Sequence, residues 1–198
     1  MRNIFIILIP IIFFTSCLVR KVGGVNQFVT KPNKKNRKSN IEFQIDGAYV
    51  ASINVKDTTS GHFAIWFLYS NGITLSYYCK IDEPLTRITK QTLINSINRE
   101  ILDEKKYSRK IRTAGGYVIN GSKIKLQEYQ IGHYGFYNLG EYNGIIINDT
   151  TINLSSTYFD KNVNDSFNTR EKLLLHYLPM SKPDSINQWM NKKWYWAD

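Results

Sequence analysis

The chain has 198 residues, a formal net charge of +10 and two cysteines. That length suits one domain plus a tether, and two cysteines exclude a scaffold held together by disulfides. The excess of 26 basic over 16 acidic residues points to an anionic partner only if the charge belongs to the folded part.

Residues 1–17, MRNIFIILIPIIFFTSC, have the form of an export signal. Arg2 is the positive n-region, and Ile4 to Phe14 is an apolar run too short to span a bilayer. Phe14-Thr15-Ser16-Cys17 resembles the box of a bacterial lipoprotein signal, with Phe14 in the usual Leu place. The resemblance implies cleavage after Ser16 and acylation of Cys17. The alternatives are an ordinary cleaved signal with an incidental cysteine and an uncleaved anchor. The domain boundaries expected are 1–16 signal, 17–40 tether and 41–198 folded domain. An acylated Cys17 makes the membrane the first partner. Leu18-Val19 carries no acidic retention signal, so an outer-membrane position facing the periplasm is expected.

Between 17 and 40 lie seven basic residues and no acid, so the folded part is nearly neutral. The stretch KPNKKNRKSN is read as a disordered basic spacer drawn to anionic lipid. An exported chain of this kind has no nucleic-acid partner. With Cys17 acylated, Cys79 has no partner in the chain, and its apolar strand-like surroundings read as a buried, inert thiol.

From residue 41 the apolar residues alternate with period two. Phe43 and Ile45 alternate with Gln44 and Asp46, and His62 to Tyr69 is apolar on both faces. Ser70-Asn71-Gly72 predicts a hairpin turn into Ile73 to Lys80. Residues 85–112 break the pattern, and Leu93, Ile94, Ile97, Ile101 and Leu102 form one helical stripe. Thr86 or Asp82 is the expected cap, and the basic residues from Lys105 to Arg112 suit the helix end or an anionic patch. Asn120-Gly121 predicts a second hairpin, and Asp149 a third that sets Ile145 to Ile147 against Ile152 and Leu154. Residues 171–178 form a last strand, and 184–193 a short C-terminal helix. The expected fold class is mainly β: an antiparallel up-and-down barrel of about eight strands, with one inserted amphipathic helix over a barrel mouth.

The segments FQIDGAYVA, IWFLYSNGITLSYY, GGYVINGSKIKLQEYQ, YNGIIINDTTINL and KPDSINQWMNKKWYW resemble the small lipocalin-like lipoproteins of Bacteroidetes-type bacteria. Gly47-Ala48-Tyr49 stands at the Gly-x-Trp of that family's first strand. The resemblance implies a calycin-type barrel with an apolar cavity, and names no ligand.

Residues 160–171 place Asp160, Asn162, Asn164, Ser166, Asn168 and Glu171 at the spacing of a calcium loop. Asp165 holds the position that needs Gly, and the flanks read as strands, so an ordinary hairpin loop is the rival reading. His62, His133 and His176 fall in no two-histidine motif, and no catalytic motif stands out. No metal, no cofactor and no enzyme activity are expected. The aromatic excess gathers at Tyr134, Phe136 and Tyr137 and at Trp189, Trp194 and Trp196. These read either as core packing with a C-terminal plug or as an aromatic ligand mouth. Two functions follow: an envelope lipoprotein binding a small apolar or amphipathic ligand, or one with a filled barrel that docks an envelope protein.

Overall fold

The computed structural model describes residues 29–33, 37–38, 43–53, 59–106, 113–131, 137–159 and 172–196. Eight strands are joined in chain order as a closed antiparallel barrel: β2 (Ala48–Ser52), β3 (Gly61–Leu68), β4 (Ile73–Ile81), β5 (Thr113–Asn120), β6 (Lys123–Ile131), β7 (Tyr137–Asn148), β8 (Thr151–Phe159) and β9 (Lys172–Leu178). Each strand pairs with the next, and β9 returns to β2 through Ala48↔Leu178 and Val50↔His176. Closure leaves no long free edge. The Asn-Gly hairpins form as read, with Gly72 at φ 83° and Gly121 at φ 61°, a backbone region that side chains disfavour. The third hairpin sets Ile146 opposite Ile152, with a bulge at Ile147.

Alternation sends one face of each strand inward and the other outward. The inward face carries Tyr49, Trp66, Leu68, Tyr117, Leu126, Tyr142, Ile152 and Leu175, all buried together. The outward face of β3 and β4 is equally apolar, with Phe63, Ile65, Phe67, Leu75, Cys79 and Ile81 in a second buried cluster. A sheet face of that kind needs a cover. Helix α1 (Lys90–Lys106) supplies part of it with Ile97 and Ile101. The helix therefore lies on the outer wall of β4, not over a mouth as expected. The reason is that β4 alternates on its outward side without a polar break. The cap is Thr89, not Thr86 or Asp82: its hydroxyl accepts Thr92 N–H at 3.1 Å, behind a 3-10 turn at Leu85–Arg87. Leu102 faces solvent at 64% exposure, outside the buried stripe.

The remaining cover is the C-terminal segment. The helix expected at 184–193 is a turn at 188–191 followed by a 3-10 turn at Lys193–Tyr195. Asn187 diverts the backbone, since its side chain accepts Trp189 N–H at 3.0 Å and donates to Tyr195 Oη at 3.2 Å. This lets Trp189 and Tyr195 both bury against the wall, which helical spacing would not.

The spacer reading of 17–40 also changes. Residues 29–33 pack against the barrel, where Gln127 Oε1 accepts Val29 N–H at 2.7 Å and Thr30 N–H at 2.8 Å. A Cβ on Gly116 would lie 2.0 Å from Thr30 O, so glycine there makes room for the segment. Downstream, β1 (Arg37–Lys38) runs parallel to Ile119–Asn120 of β5. It occupies the part of the β5 edge that β4 leaves, because β4 pairs β5 only as far as Ile73↔Gly116.

Candidate functional site

The interior is where a carrier would hold its cargo. An eight-stranded barrel is just wide enough to be filled by side chains or to hold one small ligand. Aromatic rings meet in this interior. Trp66 on β3 and Tyr142 on β7 come from diametrically opposite strands, and their rings meet edge to face at 5.5 Å between centroids. Tyr49, in register with Trp66, and Tyr117 and Leu126 belong to the same interior cluster and are all but inaccessible.

The end of the barrel that carries the three tight hairpins is closed. Phe43 joins the interior cluster, 6.4 Å from the Tyr49 ring. Gln44 N–H donates to Asp149 O at 2.9 Å, and Tyr49 Oη donates to Gln44 O at 2.9 Å. Lys182 Nζ donates to Ile45 O and, at 3.3 Å, to Leu68 O, with its charge 4.6 Å from the Tyr69 ring centre. Tyr69 Oη donates to Pro183 O at 2.5 Å and Tyr117 Oη to Tyr69 O at 2.7 Å.

Above the Trp66–Tyr142 pair the inner wall turns polar, and its centre is Glu128 of β6. The carboxylate is fully buried. Thr74 Oγ1 donates to Oε1 at 3.0 Å, while Ser76 Oγ at 2.9 Å and Trp66 Nε1 at 3.3 Å donate to Oε2. These donors are neutral. Burial therefore outweighs them and pushes the Glu128 carboxyl up to about 7 from an ordinary 4.5. Sequence reading missed this residue, although the signal was present. Ile124, Leu126 and Glu128 share one phase of the alternation, so the inward position of Glu128 follows from that of its neighbours. Thr74 and Ser76 share the inward phase of β4 in the same way.

Toward the loop end, the same wall holds His62 and Tyr78. His62 bridges Ser60 Oγ, 2.9 Å from Nε2, and Tyr78 Oη, which bonds Nδ1. The histidine is thus a hydrogen-bonded wall residue. His176 is exposed on the outward face of β9, far from it in register. Among the described residues no group of three or more His, Cys, Asp and Glu side chains could hold a metal ion. Cys79 is buried, and desolvation pushes its thiol up to about 11, which makes it unreactive.

The expected aromatic mouth separates into two parts. Trp189, Trp194 and Trp196 come together, but on the outer wall. Trp189 and Trp194 lie 5.1 and 5.0 Å from the ring of Tyr129, an outward residue of β6. Trp196 Nε1 donates to Met190 O at 2.9 Å. Tyr134 and Phe136 lie outside the described residues, and Tyr137 begins β7 opposite Ile131. Cys17 and the calcium-loop candidates Asp160, Asn162, Asn164 and Glu171 also lie outside the described residues. No helix among the described residues is long and apolar enough to cross a membrane.

The covered outer wall runs across β2 to β7. Among the described residues, a groove of about 540 Å³ opens on the outward side of β5 to β9, lined by Val118, Lys123, Ile145, Asn153 and Lys172. Compared with protein-family models, curated proteins and solved structures, the chain matches none.

Proposed function

We infer that the protein is an envelope lipoprotein with a filled barrel, one that works through its outer surface and not as a carrier. The observation that carries this reading is the Trp66–Tyr142 ring pair, which spans the lumen between opposite strands. A cargo lying along the barrel axis would have to displace it. The closed hairpin end and the Glu128 network support the same reading, since both commit the interior to its own side chains. The export signal and Cys17 supply the address and the anchor. The outer surface is then the part left to meet the envelope.

Titration with a fluorescent fatty acid tests the choice between docking body and carrier. The expected result is no saturable transfer of energy from tryptophan to the probe. Saturable one-to-one transfer that is competed by unlabelled fatty acid, and lost when Leu126 is enlarged to Trp, would establish a ligand cavity instead.

A further inference from the structure

The open face of β6 to β9 carries two registered rows of side chains. One row runs Lys123, Ile145, Asn153, Leu174 across four strands. The next runs Lys125, Asn143, Ser155, Lys172. Neither row contains an acid. Ile145 is 54% exposed, Leu174 48%, and Ile147 beside them 52%. Branched aliphatic side chains so exposed, set among lysines along this groove, have the chemistry of a surface that rests on anionic headgroups.

The position of the N-terminal segment gives this face a direction. Val29, itself exposed, is held by Gln127 of β6. Gln127 Nε2 donates to Glu141 Oε2 at 2.7 Å, and the same oxygen is paired with Lys125 Nζ at 3.0 Å. A continuous chain of bonds therefore joins the incoming segment to the lysine rows. Val29 is twelve positions on from Cys17, a reach of at most about 40 Å even when fully extended.

We propose that the β6–β9 outer face, with Lys123 and Lys172 around Ile145 and Leu174, is a membrane-facing surface that lies on anionic phospholipid headgroups. The direction of the face rests on the anchor reading of Cys17. The charge and the exposed aliphatics stand without it. The surface orients the barrel, so that α1, on the outer wall of β4, faces the aqueous envelope.

Lysine footprinting of the full chain, extracted from its membrane and placed in vesicles, tests the proposal. One vesicle is phosphatidylcholine alone, and the other is equal parts phosphatidylcholine and phosphatidylglycerol. A water-soluble amine reagent is applied, each lysine is read by mass spectrometry, and the N-terminal peptide is weighed in the same run. The expected result is that Lys123 and Lys172 react about fivefold more slowly on the anionic vesicle. Lys90 of α1, exposed on the opposite side, keeps its rate. High salt restores the rates, and the pair Lys123→Gln with Lys172→Gln exposes Lys125 equally on both vesicles. Equal rates on the two vesicles with an acylated Cys17 overturn the proposal and leave the anchor standing. An unmodified Cys17 with anionic-lipid protection intact overturns the anchor and leaves the face standing. Protection that appears only when envelope proteins are added also overturns it, and makes the face a protein-docking surface.

Discussion

Replacing Glu128 by glutamine is expected to flatten the pH dependence of stability between about 4.5 and 7. In the folded protein the carboxyl titrates near 7, and in the unfolded chain near 4.5. Across that window the folded state holds a proton that the unfolded state has released. Stability therefore falls as pH rises, by about 1.4 kcal/mol per unit and about 3 kcal/mol in all. Above pH 7 the loss is complete, and below 4.5 it is absent. Asp46 and Glu141 act in the opposite sense, because hydrogen bonds from Tyr177 and from Lys125, Asn143 and Gln127 hold their carboxyls below the ordinary range. The stability they add is present above the ordinary carboxylate range and fades as pH falls through their lowered values. The difference between native and Glu128→Gln melting curves isolates the one group. Parallel curves from pH 4 to 8 would show that the Glu128 carboxyl titrates alike in the folded and the unfolded chain. Glu128→Ala is a different experiment. It leaves the Trp66 indole, the Thr74 hydroxyl and the half-buried Ser76 hydroxyl facing a cavity, at a cost of about 3–5 kcal/mol.

The second large effect is expected at the C-terminus. Deleting residues 189–198 removes Trp189, which is 4% exposed, and Tyr195, which is fully buried. It uncovers the outward row Ala48, Phe67, Leu75, Ala114, Tyr129 and Leu139, which runs in register across six strands. The expected result is a chain that no longer melts cooperatively and aggregates. A milder probe separates packing from loss of the segment: Trp189→Ala is expected to cost about 3–5 kcal/mol. Tyr195→Phe, which breaks the 2.8 Å bond to Gly115 O, is expected to cost about 1–3 kcal/mol. A deletion variant with a native melting curve would return the tryptophans to a binding role.

These two sites show where the sequence was legible. Alternation and Asn-Gly turns are local signals. They marked the hairpins at 71–72 and 120–121 and the double-sided burial of β3, and so the barrel. The same alternation places Glu128 inward, but an acid in a core phase reads as a surface residue until its three donors are known. They lie 52 to 62 positions away in the chain. The docking of Val29 to Asn33 is hidden for a similar reason. Thr30 and Pro32 sit in a basic, Asn-rich stretch that reads as solvated. What holds them is a glycine at 116 and a glutamine at 127. The helix position and the C-terminal turns depended on which wall needed cover, and only the outward face of β4 decides that.

That the barrel is filled by its own side chains is open to a direct check, the electron density inside it in a crystal structure of the protein purified from its host. Ordered density is expected for Tyr49, Trp66, Tyr117 and Tyr142, with the Trp66 and Tyr142 rings in contact across the lumen. An elongated density that belongs to no side chain, lying between those two rings, would contradict it.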